Sequence, residues 1–187
     1  MRQSLAQLPL VGVGRPLVAS QWLAGAWSER ISVMLWSSLL STLHLFAFAL
    51  GLPGIFLRGR GLRALRTDPT AVERTLMADN AWGVAALLWL VTGLLRAFGS
   101  FEKGSGYYLH SGPFLIKMAL VIFVFSIEVW PMVTFIKWRI AKGKGQPLDF
   151  SKVAKLARVN DVEVALTVVA PFFASAMARG MGFGMFG

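Results

Sequence analysis

An all-α integral membrane fold, an antiparallel four-helix transmembrane bundle, follows from three features of this 187-residue chain. Hydrophobic residues make up 56% of it and charged residues only 15%, whereas soluble domains carry about 25% charged residues. The mean hydropathy is +0.61. Four apolar stretches approach or exceed the ~20 residues that a helix needs to cross a bilayer, and their basic flanks alternate in a way that fixes a topology. At this length one domain is expected.

The four spans are read in order. Span one covers about 31–57, with Ser28 suited to an N-cap and with Gly51, Pro53 and Gly54 loosening its far end, because proline removes a helix hydrogen bond. Span two covers about 79–98 and opens on Asp79, an acidic residue favoured by the helix dipole. Span three, about 113–138, starts at Pro113, a good first-turn residue, and contains Pro131. Span four runs over about 161–177 and contains Pro171. Residues 1–30 read as an interfacial segment, since Pro9, Gly12, Gly14 and Pro16 interrupt their apolar run and no good signal-peptide pattern is present. Residues 181–187 read as a flexible Gly/Met/Phe tail.

The formal charge of +10 suggests phosphate backbones at first sight, but its distribution argues against nucleic acid. Arg58, Arg60, Arg63, Arg66 and Arg74 follow span one; Lys137, Arg139, Lys142, Lys144, Lys152, Lys155 and Arg158 follow span three. Short basic loops stay in the cytoplasm. The expectation is a bacterial inner-membrane protein with both termini periplasmic and anionic lipids as partners of the cytoplasmic face. Trp27, Trp82, Tyr107, Tyr108 and Trp138 fall near span ends, where interfacial aromatics belong.

Helical spacing indicates the inward faces. Ser37, Ser41, His44, Phe48 and Gly51 form one stripe; Asp79, Gly83, Ala86, Leu90 and Gly93 a second; Glu163, Thr167, Ala170, Ala174 and Ala178 a third. Small residues of this kind let membrane helices approach closely, so packing accounts for much of the pattern. Titratable groups at depth are the functional candidates. Lys117 and Glu128 share a face of span three, eleven residues apart. Lys117 can snorkel to the outer interface. Glu128 has no such escape and is expected to be protonated, paired with His44, or lining a wet cavity. Counted from Ile31, His44 lies about 20 Å deep, and roughly 14 Å deeper than Lys117. Outside the membrane core Arg96, Glu102, Lys103, Tyr107, Tyr108 and His110 gather near the second connection, as an interfacial belt or as a clamp for carboxylates. Asp79, Arg158, Asp161 and Glu163 are expected to form salt bridges that fix helix ends.

Cysteine is absent, which removes thiolate catalysis and disulfides. With two histidines only, a four-histidine, two-haem cytochrome is excluded. No HExxH, GxxxxGK[ST], GxSxG or dinucleotide fingerprint is present. Whether the chain is an enzyme stays open.

Leu43-His44-Leu45, Asp79-Asn80-Ala81-Trp82-Gly83, Thr92-Gly93-Leu94-Leu95-Arg96, Lys103-Gly104, Tyr107-Tyr108-Leu109, Phe114-Leu115-Ile116-Lys117-Met118-Ala119-Leu120 and Met177-Ala178-Arg179-Gly180 together resemble a family of uncharacterised bacterial four-span membrane proteins over roughly residues 31–180. The layout is more distantly similar to the HemJ-type membrane protoporphyrinogen IX oxidase, which carries a first-span histidine and a lysine early in span three, matching His44 and Lys117. That resemblance implies a b-type haem or porphyrin, with His44 as axial metal ligand. Lys117 and Arg96 would then hold propionates, and Glu128 would handle protons or bond His44. The competing expectation is a non-enzymatic accessory or assembly subunit of a larger respiratory or photosynthetic complex, or a homo-oligomer. A transporter would lead one to expect inverted repeats, which the sequence does not show.

Overall fold

A computed structural model describes residues 16–99 and 104–181 of the chain. Five helices account for most of them: α1 (Pro16–Ala64), α2 (Val72–Phe98), α3 (Gly104–Leu109), α4 (Gly112–Gly143) and α5 (Val153–Ala178). Four are long and apolar enough to cross a membrane, over Trp27–Ala64, Pro69–Phe98, Gly112–Gly143 and Val153–Ala178. The all-α membrane bundle expected from the sequence is therefore what the chain forms. Residues 1–15, Glu102, Lys103 and 182–187, on which part of the interfacial segment, two of the clamp residues and the tail were placed, lie outside the described residues.

Each helix is longer than its apolar core suggested. Helix α1 continues through Pro53 to Ala64 and α4 through Pro131 to Gly143. A sequence reader ends a span where charge begins; the chain ends its helices only where a turn is specified. After α1, Asp68 caps a 3-10 turn at Pro69–Ala71 by accepting from the Thr70 amide. The Thr70 hydroxyl and amide, with Arg74 beside them, hold the Asp68 carboxyl below its usual range. After α4, Gly145 takes a positive φ of 64°, a conformation that glycine adopts without steric cost.

The helices alternate in direction. Helix α1 packs on α2 along one side and on α5 along the other, α4 packs on α5, and α2 and α4 close the ring with the loosest contact. The α1–α2 seam is tight because glycines line it. A Cβ on Gly54 would lie 3.0 Å from the Trp82 backbone nitrogen, and one on Gly61 would lie 2.3 Å from Thr75 Oγ1 and 3.2 Å from Thr75 Cα. Close backbone approach through small residues replaces the hydrophobic driving force that lipid cannot supply. At the end carrying the basic connections, hereafter the basic end, Leu62, Leu65, Leu76, Phe135, Trp138, Val153 and Leu156 form the largest buried cluster. At the opposite end Ala97, Tyr108 and Phe114 form a smaller one.

The seam also sets depth. His44 meets Thr92 and Gly61 meets Thr75, so every step forward on α1 is a step back on α2. Helix α2 ends at Phe98, which places its last turn opposite Ser38, and residues 28–36 of α1 are all exposed. At 1.5 Å per residue, His44 is thus only about 9 Å inside that end of α2.

A side chain at Gly61 should force α1 and α2 apart. We expect Gly61→Ala to destabilise the bundle by about 1–3 kcal/mol. Gly83→Ala, where nothing lies within 4 Å, should be neutral or stabilising by up to about 1 kcal/mol. Thermal unfolding of the two variants in detergent checks the contrast.

Candidate functional site

Two polar centres are built inside the bundle. The first surrounds Arg58, which the sequence reading placed in a connection. Because α1 continues to Ala64, Arg58 stays helical and points inward, with none of its side chain exposed. Its Nε donates to Asn160 Oδ1 at 2.8 Å, Nη1 to Asp79 Oδ1 at 3.0 Å and Glu128 Oε1 at 2.7 Å, and Nη2 to Glu128 Oε2 at 2.9 Å and Glu163 Oε2 at 2.5 Å. A guanidinium has five N–H donors, and here every one is used. The acceptors come from α2, α4 and α5, so one side chain of α1 clasps the other three spans.

The surroundings complete the cage. Trp82 Nε1 donates to Glu128 Oε2 at 3.1 Å, and the Trp82 and Phe135 rings lie 6.0 and 5.6 Å from the guanidinium carbon. Arg139 Nη2 reaches across from α4 to Asp79 Oδ2 and Asn80 Oδ1, both at 2.7 Å. Glu128 therefore has the polar partners its depth demands, but they are Arg58 and Trp82, not His44. Asp79 and Glu163 do not fix helix ends: they belong to this interior cage. Of the expected surface pairs, Asp161 does bond Arg63 at 3.1 Å, with both side chains more than half exposed. Arg158 is exposed.

The second centre lies at the opposite end. His44 Nδ1 is 2.9 Å from Thr92 Oγ1. Thr92 lies 2.7 Å from the Leu88 carbonyl, so its single proton goes there and the imidazole Nδ1–H donates to the hydroxyl. The neutral tautomer then carries its lone pair on Nε2. The ring stacks on Trp89 at 5.4 Å and 18°. Lys117 Nζ lies 5.8 Å from the centre of the Trp89 indole. His44 and Lys117 thus both approach one indole at one depth. The expected gap between them disappears because Ile31, from which depth was counted, stands well beyond the end of α2.

Two spaces adjoin this arrangement. A narrow one of about 30 Å³ is bounded by His44, Trp89, Gly93, Lys117 and Met118. A larger cavity of about 230 Å³ lies beside it, sharing Gly93, and is lined by Arg96, Tyr107, Tyr108, Phe114 and Met177. Tyr107 donates to the Met177 carbonyl at 3.2 Å, tying α3 to the end of α5. His110 is exposed and bonds the Gly106 carbonyl, so it takes no part. Of the residues read from the sequence as one site, His44 and Lys117 border the narrow space and Arg96 the larger one beside it; Glu128 belongs to the other centre.

A tetrapyrrole does not fit against His44 with the helices so placed. The adjoining space is far smaller than a macrocycle, Trp89 covers one face of the imidazole, and a Cβ on Gly93 would lie 3.0 Å from Cε1. Among the described residues no three His, Asp or Glu side chains are arranged to hold a metal ion.

The fold and both centres define a four-span helical membrane bundle with an ion-paired interior. The chain belongs to the family described as predicted membrane protein (DUF2214), matched over residues 36–182. Comparison with curated proteins and with solved structures returns no match.

Removing Arg58 should be the most damaging single change in the bundle. Arg58→Leu removes the one guanidinium that bonds the buried Glu163 and the partly buried Glu128, and leaves Asp79 with Arg139 alone, a loss of about 3–5 kcal/mol. Arg58→Lys keeps the charge but cannot reproduce a five-donor fork, and is expected to fall between wild type and Leu. Thermal midpoints and elution profiles of the three proteins in detergent measure the order.

Proposed function

We propose that the protein resides in the bacterial inner membrane and binds an amphipathic carboxylate in the cleft at the end opposite the basic loops. The observation that carries this reading is that His44 and Lys117 border a narrow apolar space while Arg96 borders an adjoining aromatic-lined cavity, the two meeting at Gly93. An acid group suits Arg96 and Lys117, since charge-assisted hydrogen bonds are the strong ones. The apolar body suits Phe114, Met177 and Trp89. Porphyrins are the large members of this class. One could lie here only with part of its ring outside the cavity, and His44 is assigned no axial role.

The orientation follows the basic residues. Arg60, Arg63, Arg66, Lys142, Lys144 and Lys152 are exposed at one end, and a bilayer places such ends in the cytoplasm against anionic lipid. The termini are then periplasmic and the cleft opens in the periplasmic half of the membrane. Reporter fusions after Lys103 and after Lys144 should give opposite sides, with Lys103 outside. A cytoplasmic signal at Lys103 inverts the assignment.

Ligand binding is tested by titrating the purified full-length protein with protoporphyrin IX, with haemin and with a smaller aromatic carboxylate, following tryptophan quenching and the Soret band. Arg96→Ala and Lys117→Ala should each weaken binding about tenfold, a loss of about 1.4 kcal/mol. A haemin spectrum that changes in His44→Ala would show that the helices part to admit iron, against the present reading. If none of the three binds, the accessory-subunit reading replaces this one.

A further inference from the structure

The Arg58 cage contains an imbalance that helix packing does not require. Arg58 and Arg139 bring two positive charges; Asp79, Glu128 and Glu163 bring three carboxyl groups. Arg63 and Asp161 compensate each other at the surface. Glu73 and Lys142 form a similar exposed pair further toward the basic end. With every carboxyl ionised, the interior would hold one uncompensated negative charge, which low-dielectric surroundings strongly disfavour.

The three carboxyl groups are not equivalent. Glu128 uses both oxygens, on Arg58 Nη1, Arg58 Nη2 and Trp82 Nε1. Asp79 uses both, on Arg58 and Arg139. Their side chains are 16% and 12% exposed. Glu163 uses only Oε2; its Oε1 is buried without a hydrogen-bond partner, and the side chain is wholly inaccessible. An anionic oxygen left bare at zero exposure is the least favourable element of the cage, and a proton is the smallest species that removes it.

We propose that Glu163 and Glu128 form an intramembrane proton-binding site, with one exchangeable proton resident on Glu163 Oε1 at neutral pH. The bond formed is O–H on Glu163, and the proton comes from solvent. Glu128 is bonded to the same Nη2 nitrogen as Glu163 and is the partly exposed neighbour through which the proton enters and leaves. With the proton in place the charges of the cage sum to zero. No other ligand class suits the site: Arg58 occupies its centre and repels a metal cation.

The test is infrared spectroscopy of the full chain, reconstituted in liposomes and titrated from acid to alkaline pH in H2O and D2O. At neutral pH the wild type should show a carboxylic-acid C=O band that shifts on deuteration and vanishes at alkaline pH. The band should be absent from Glu163→Gln and displaced in Glu128→Gln. Stability supplies an independent reading. A proton bound in the folded state and released on unfolding stabilises at low pH and is lost as pH rises, so the wild-type thermal midpoint should fall on the alkaline side while that of Glu163→Gln stays level. The amide is isosteric with the neutral acid, so Glu163→Gln should fold and match wild type at neutral pH. Failure of Glu163→Gln to fold, a band that persists in it, or a wild-type spectrum without the band at neutral pH would each overturn the proposal. The wild-type titration decides the matter without any variant.

Discussion

Arg58 is the constraint on which the architecture depends. Four apolar helices in lipid gain little from hydrophobic contact with one another, so something else must fix which faces meet and at what height. A guanidinium with five donors spent on residues of the other three helices does both. Sliding or rotating any one helix by a residue breaks at least one charge-assisted bond in a medium where no water replaces it. Such a buried cage adds specificity more surely than stability, since desolvating its charges offsets much of their attraction. The glycines of the α1–α2 seam then bring the backbones as close as the clasp requires.

The same arrangement explains why the bundle is closed at one end and open at the other. Of the four neighbouring pairs of long helices around the bundle, α2 and α4 have the fewest backbone approaches. Toward the basic end, side chains span the interval: Arg139 to Asp79 and Asn80, Trp82 to Glu128, Lys142 to Glu73. Beyond Trp82 no charged pair crosses it among the described residues. There the interval is bridged by Lys117 against Trp89, and the space left over becomes the cleft beside Arg96 and Tyr107.

The architecture was legible in the sequence, because span length, basic flanks and small-residue stripes are all local signals. Glu163, Thr167 and Ala170 were placed on an inward face by spacing alone, and all three are buried. What local reading missed was Arg58. A rule that ends a span at its first arginine assigned Arg58 to solvent, and Glu128 was then matched to the wrong partner, His44. One signal was available: Arg58 is fourteen residues past His44, close to four turns, and so continues the His44–Gly51 stripe. The error in depth had a similar origin. A helix longer than the bilayer gives no landmark from its own start; depth comes from its neighbour, here from the pairing of His44 with Thr92.

The two centres differ in what they can accept, and that difference assigns their chemistry. About 21 Å of α1 separates Arg58 from His44 at 1.5 Å per residue. At Arg58 every donor is engaged and one buried carboxyl oxygen, Glu163 Oε1, has no hydrogen-bond partner, so the species proposed for it is a proton. At His44 and Lys117 the polar groups face a narrow apolar space that adjoins the larger cavity at Gly93, and the proposed ligand there is a molecule with an acid at one end. Helix α2 contributes to both, through Trp82 on Glu128 and, two turns further along, through Trp89 against His44 and Lys117. The inner centre therefore sets the register of α2, and that register places Trp89, Gly93 and Arg96 around the cleft.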